Sequence, residues 1–240
     1  MTAATFMVNV APAPGPFTLS GPEGRHAVTV KRIGPGEIVM LADGHGGRSV
    51  GTVTATQGKD VLHVDVTSRE EVPPPTPQVT VIQALPKSER QELTVDLLTQ
   101  GGADVIVPWE AERCIAKWQP KKAKKWENAA VAAAKQSRRA RLPLIMKPNA
   151  LDEALDGVDL VLVLHEEASV PLAEVDLSQA RCIALVIGPE GGLSPAEVER
   201  FRAAGARPVL LGPEVLRTAT AGFAALAAIG VQTSRWLVES

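Results

Sequence analysis

The sequence predicts an α/β protein in two parts, a small β domain followed by a larger domain built on a parallel sheet with helices on both faces. Three observations predict it. The stretch Pro73-Pro74-Pro75-Thr76-Pro77 places four prolines in five residues, which excludes helix and central strand and favours a stiff extended connector. Before it, short β-like segments alternate with turns. After it, short and continuously apolar runs alternate with helix-like segments, the pattern of strands buried on both faces. The expected bounds are 1–72 for the first domain, 73–77 for the linker and 78–240 for the second domain.

The 240 residues are 45% hydrophobic and 3% aromatic, with no Tyr, enough to bury a real core. The formal net charge is −2, so total charge argues neither for nor against nucleic acid, and its distribution must decide. Cys114 and Cys182 lie far apart with no Cys/His cluster nearby, so reduced core thiols and no metal site are expected. The first ten residues lack the basic and apolar stretches of a secretory signal, and no apolar run approaches the ~20 residues of a membrane span. A soluble, cytoplasmic protein is the expectation.

In the first domain, strands are expected at 37–41, 51–56 and 61–66, the last alternating apolar and polar residues as a half-buried strand does. Asp43-Gly44-His45-Gly46-Gly47 supplies a flexible turn, and a compact β-barrel is the natural arrangement. In the second domain, apolar runs at 79–85, 104–107, 160–164, 182–187 and 208–211 predict the parallel strands. Ser88-Glu89-Arg90-Gln91 has the spacing of a capping box, with Leu93 and Leu97 on one face and Gly101-Gly102 as a stop. Ser194-Pro195-Ala196-Glu197 is a stronger start, with a Ser cap, Pro at the first helical position and Glu at the third.

Two segments sit where open α/β sheets bind ligands, outside the carboxyl ends of strands. The first is Ile187-Gly188-Pro189-Glu190-Gly191-Gly192, whose glycines let backbone approach a ligand. A tight strand-to-helix turn explains it equally well. It is not GxGxxG, and neither a P-loop nor GxSxG occurs, which weakens dinucleotide, nucleotide and hydrolase readings. The second runs from Leu211-Gly212 to Leu216-Arg217-Thr218-Ala219-Thr220 and reads as a helix cap or as the other half of one pocket. A third segment is basic. Lys121, Lys122, Lys124, Lys125, Lys135, Arg138, Arg139 and Arg141 fall in 21 residues whose only acid is Glu127. Such a run is a solvated helix face or a face that tracks phosphates. Arg25, His26 and Arg32 are further RNA-binding candidates in the first domain.

The order of these pieces resembles the SPOUT methyltransferases, specifically the RsmE-type 16S rRNA uridine-N3 methyltransferases. The resemblance runs through His26 to Arg32, Lys87-Ser88-Glu89-Arg90, Thr99 to Asp104, Glu112-Arg113, Trp126, Gln136-Ser137, IGPEGGLS and LGPEVLRTATA. It implies a C-terminal domain with a deep trefoil knot holding S-adenosylmethionine, a PUA-like N-terminal β-barrel and a homodimer acting on the small ribosomal subunit. Carried over, the cofactor would rest on Leu164 and His165, on Ile187, Gly188, Pro189, Glu190, Gly191 and Gly192, on Leu211 and Gly212, and on Leu216 to Thr220. Lys87, Arg90 and Arg113 join the basic segment as implied RNA-binding residues. Arg217 is the candidate for stabilising the uridine anion or positioning the substrate, and Glu190 is a candidate proton acceptor or a residue that simply fixes the loop. The chain departs from the family pattern at Gln100, Ala219 and 132–136, and the missing carboxylate at 219 removes one candidate acceptor. A SPOUT enzyme with another target, such as a ribose 2′-oxygen, and a non-catalytic RNA-binding assembly factor are the alternatives.

Overall fold

A computed structural model describes residues 3–237, so the outermost residues of both expected domains lie outside it. The chain divides into two compact units, one running to Pro74 and including Ala134–Leu142, the other holding Pro75–Ala133 and everything from Pro143 onward.

The first unit is a five-stranded sheet. Its strands are β1 (Ala4–Met7), β2 (Gly15–Leu19), β3 (Ile38–Ala42), β4 (Gly47–Gln57) and β5 (Val61–Glu71), in the order β1-β3-β4-β5-β2. Only β1 and β3 pair in parallel. Phe6, Leu19, Val39, Leu41, Leu62 and Val64 form its core. Two features differ from expectation. A helix, α1 (Gly21–Arg25), continues as wider π turns over His26–Lys31, although two glycines and a proline open it. Gly24 is needed there because a Cβ would lie 2.1 Å from the Asp60 carbonyl oxygen. The turn at 43–47 is also not a flexible one. The Asp43 carboxylate accepts from the amides of Ala11, His45 and Gly47, fixing the entry to β4.

The segment Ala134–Leu142 belongs with this sheet. Lys135 Nζ lies 2.7 Å from Glu23 Oε1 and 5.8 Å from the centre of the Phe6 ring. Farther along, Arg141 Nε donates to the Val72 carbonyl and Leu142 N to that of Gly44.

The second unit is a six-stranded parallel sheet. It comprises β6 (Gln78–Ala84), β7 (Val105–Trp109), β8 (Leu144–Ile145), β9 (Leu160–Leu164), β10 (Cys182–Ile187) and β11 (Arg207–Val209), in the order β11-β9-β10-β6-β7-β8. The expected parallel sheet is present, and its central strands β6 and β10 are buried over most of their length, from Val81 and Ile183 to their carboxyl ends. Helices α2 (Gln91–Gly101), α3 (Pro120–Ser137), α4 (Leu151–Leu155), α5 (Pro195–Ala203) and α6 (Thr218–Gln232) complete the chain, the end of α3 being counted with the first unit. Among the described residues no helix is long and apolar enough to cross a membrane.

The two expected helix starts fare differently. Ser194 caps α5 as the sequence predicts, its Oγ accepting from Glu197 N while Glu197 Oε2 accepts from Ser194 N. At Ser88 no capping box forms. Residues Ser88–Arg90 make a single 3-10 turn, α2 begins at Gln91, and the Gln91 side chain is buried and donates to the Pro86 carbonyl. Consequently α2 buries Gln91, Thr94, Val95, Leu98 and Thr99, while Leu93 stays half exposed. The stop at Gly102 holds, with φ +100.

Candidate functional site

Strands β9, β10, β11 and β6 are neighbours, and their carboxyl ends are level. Val163 pairs with Val186, Leu164 with Val209, and Ile187 with Gln83. The register therefore delivers Leu164, Ile187 and the chain after Val209 to one edge of the sheet. His165 follows directly, its amide donating to the Val209 carbonyl at 3.1 Å.

Beyond Ile187 the chain makes a tight turn in which Gly192 N donates to the Pro189 carbonyl at 2.9 Å. Gly192 has φ +72, a left-handed conformation that favours glycine. Pro189 is buried, and Glu190, Gly191 and Gly192 are exposed. The Glu190 carboxylate faces the chain after β6, 3.5 Å from the Lys87 amide. On the other flank, Arg113 Nη1 donates to the Gly191 carbonyl at 3.1 Å.

The second segment meets the first through α6. Arg217 precedes the helix in an extended conformation, and its carbonyl accepts from Thr220 N, Thr220 Oγ1 and Ala221 N. The bonds are thus to its backbone, and no side chain caps α6. Among the described residues the Arg217 guanidinium makes no hydrogen bond or ion pair, and the residue is exposed. Thr218 and Ala219 are buried, whereas Leu216 is 41% exposed and a Cβ on half-buried Gly212 would lie 3.9 Å from Glu214 Oε2.

One polar residue here escapes sequence reasoning. Gln83 is fully buried in β6, and its Nε2 donates to the carbonyls of Ala84 and Thr218, tying α6 to the sheet. Among the described residues its Oε1 has no hydrogen-bond donor, an uncommon state for a buried acceptor. A lone Gln inside the apolar run 79–85 was the signal available in the sequence. Gly222 packs above it: a Cβ there would lie 3.4 Å from Gln83 Oε1 and 2.6 Å from Leu98 Cδ2.

A separate cleft of about 790 Å³ opens between α5, β11 and the loop after β9. Of the residues singled out for the cofactor, only His165 and none of the glycines border it. Its rim mixes Glu167, Glu174 and Asp176 with Arg202 and Arg207, which favours no one ligand charge. The strand ends, where register and hydrogen bonds converge, are the better candidate. Half-buried Leu211, half-exposed Leu216 and the exposed backbone of 190–192 fit a ligand with an apolar body and polar edge. Among the described residues no group of His, Cys, Asp or Glu could hold a metal.

The basic residues are distributed over both units. Trp126 is buried and packs edge-on against Trp118, which leaves Lys121, Lys124 and Lys125 exposed on α3. Lys122 is half-buried, and burial lowers its pKa. Lys135 is committed to Glu23 and does not join the positive face. Arg138 follows α3 in a left-handed conformation and is exposed, while Arg139 is half-buried. In the first unit Arg25 and Arg32 are exposed. His26 lies edge-on to Phe6, and burial, then the Lys135 charge, lowers its pKa. Lys87 is exposed and Arg90 half-buried on the turn preceding α2.

Comparison with known proteins bears on both units. A family model described as an RNA methyltransferase domain matches residues 73–230, and one described as an RNA methyltransferase PUA domain matches 19–66. Ribosomal RNA small subunit methyltransferase E of Mycobacterium bovis is 44% identical, with 98% of this chain and 94% of that protein covered. A putative methyltransferase from Legionella pneumophila, solved in complex with S-adenosylmethionine, superposes with a TM-score of 0.83 at 30% identity, covering 96% of this chain and 98% of the other. Ribosomal RNA small subunit methyltransferase E from Neisseria gonorrhoeae, bound to S-adenosylmethionine, gives 0.81 at 26% identity, covering 96% and 98%. With a parallel-sheet methyltransferase unit and a PUA unit both matched, the chain belongs to the RNA methyltransferase family whose curated members are named ribosomal RNA small subunit methyltransferase E.

Proposed function

We propose that this chain methylates N3 of a uridine in 16S rRNA of the small ribosomal subunit, with S-adenosylmethionine held at the carboxyl ends of β9, β10 and β11. The observation that carries the reading is that Ile187, which leads into the glycine-rich loop, pairs with Gln83, and Gln83 in turn donates to the Thr218 carbonyl beside Arg217. Leu164, His165, 187–192, Leu211, Gly212 and 216–220 are the proposed cofactor residues. Homologous chains solved with the same cofactor support it.

S-adenosylmethionine supplies an electrophilic methyl on its sulfonium. Methylation forms an N–C bond at N3, breaks the S–C bond and releases the N3 proton. Because N3 lies on the pairing edge, the base must be unpaired and turned inward. Arg217 is the proposed stabiliser of the N3 anion, because it is a permanent cation with no competing partner among the described residues. Glu190 is the proposed proton acceptor. Its carboxylate is exposed and only weakly engaged by the Lys87 amide. Exposed Lys121, Lys124, Lys125 and Arg138 are proposed to track phosphates.

The path of the chain supports a trefoil knot. Leu210 N donates to the Val170 carbonyl and Leu172 N to the Leu210 carbonyl, so the loop after β9 lies against the chain leaving β11. That chain then returns across the sheet to pack α6 on α2, β6 and β10. A homodimer is also proposed, from the half-exposed Leu93 on α2 and exposed Val231 on α6.

Undermethylated small subunits incubated with labelled cofactor should acquire one N3-methyluridine, mapped by mass spectrometry. Arg217→Ala should lower kcat about 10²-fold. Normal turnover in that variant would refute the role given to Arg217, and a methyl found on a ribose oxygen would refute the uridine-N3 assignment.

A further inference from the structure

We infer that the turn at residues 111–114 clasps the glycine-rich loop, and that Arg113 is a positioning residue for the cofactor instead of an RNA contact. The inference rests on the reading that this loop lines the cofactor site. The turn itself is firmly held. Ala111 and Cys114 are both buried, Cys114 N donates to the Ala111 carbonyl at 2.9 Å, and Cys114 Sγ lies 3.8 Å from the Trp109 carbonyl. Burial also raises the Cys114 pKa, so the thiol stays neutral and serves as an apolar anchor. With both ends sunk in the core, Glu112 and Arg113 are the two exposed residues between them.

Each of the two reaches the glycine loop by a separate route. The Glu112 amide donates to Glu197 Oε1 at 2.7 Å, while Glu197 Oε2 accepts from the Ser194 amide at 2.9 Å. One carboxylate thus caps α5 and also joins the turn to the downstream end of the loop. Arg113 Nη1 donates to the Gly191 carbonyl, and a Cβ at position 191 would lie 3.2 Å from Arg113 Cβ and 3.5 Å from its carbonyl oxygen. Here the loop lies flush against the turn, which explains glycine at 191 without any ligand.

The physical need for a clasp follows from the loop's composition. Two consecutive glycines have wide conformational freedom, and a ligand that binds such a loop must bear the entropy of ordering it. A cationic donor fixed on the Gly191 carbonyl orders the loop in advance. The same engagement turns the guanidinium toward protein backbone.

The test uses the full chain with Arg113→Ala and Arg113→Lys. Calorimetry with S-adenosylmethionine should show Kd raised about three- to tenfold in the alanine variant, the scale of one lost hydrogen bond. The lysine variant should recover part of the loss, since an ammonium can still donate to the carbonyl. Affinity for small-subunit RNA and the melting temperature should stay at wild-type values, and amide exchange at 191–193 should quicken. Weakened RNA binding with unchanged cofactor Kd would make Arg113 an RNA contact and overturn the inference, as would no change in either. If the wild-type chain fails to bind S-adenosylmethionine, the functional reading fails instead. The clasp is then judged by exchange alone, with unchanged rates at 191–193 refuting it.

Discussion

Replacing Arg235 with alanine should unfold the second unit more readily than any surface substitution. Arg235 lies near the end of the described chain, yet its side chain is only 5% exposed. Nη1 donates to Asp104 Oδ2 at 2.8 Å and to the Pro77 carbonyl, and Nη2 donates to the Gly102 carbonyl. The guanidinium thereby joins the C-terminal segment to the start of β6 and to the turn after α2. Breaking a buried ion pair by removing one partner costs about 3–5 kcal/mol. Asp104 keeps a donor in the Val79 amide at 2.9 Å, which argues for the lower end, about 3 kcal/mol. All four tryptophans, Trp109, Trp118, Trp126 and Trp236, lie in the second unit, so their fluorescence follows its unfolding separately from the β unit. With a urea dependence of about 2–3 kcal/mol per M, the midpoint should fall by roughly 1–1.5 M. A drop of less than about 0.2 M would mean that water screens the pair, and the argument from burial would be refuted. Removing both charges, Arg235→Met with Asp104→Asn, should cost less than the two single losses added together, because neither group is left buried and unpaired.

Two further predictions concern packing and pH. Gly222→Ala places a methyl 2.6 Å from Leu98 Cδ2 between α6 and α2, so it should destabilise the second unit by about 1–3 kcal/mol and weaken cofactor binding, both readable in one ligand-dependent melting experiment. An unchanged melting temperature would show that α6 moves freely away from α2. For Asp43, burial raises the pKa, but the amide donors of His45, Ala11 and Gly47 outweigh it and hold the group below its ordinary value. A depressed carboxylate contributes stability above its unfolded pKa, and this is lost as pH falls through the folded value. The advantage of the wild type over Asp43→Asn in melting of the first unit should therefore shrink between about pH 6 and pH 3. A constant difference across that range would refute it.

Particular residues show how far the sequence was legible. The α5 start was readable because Ser194, Pro195 and Glu197 satisfy one another locally, within a single turn. The Ser88 start misled because the same spacing met a competing partner, the Pro86 carbonyl, which drew Gln91 into the core. The helix at 21–31 was hidden by its glycines, since Gly24 is there for a close approach to Asp60 and not to break the helix. Lys135 read as one charge among eight and instead lies against Glu23 and Phe6 in the β unit, a pairing across more than a hundred residues.

By itself the sequence determined the two-part plan and the parallel sheet, since periodicity, capping and turn residues act over a few neighbours, and the order of its motifs carried the resemblance to the family. Only the tertiary structure decided that Ala134–Leu142 joins the β unit, that Gln83 ties α6 to the strand ends, and that Arg113 holds the glycine loop. Those are hydrogen bonds and close contacts between residues distant in the chain. Strand order and register create them, and no local pattern of side chains encodes either.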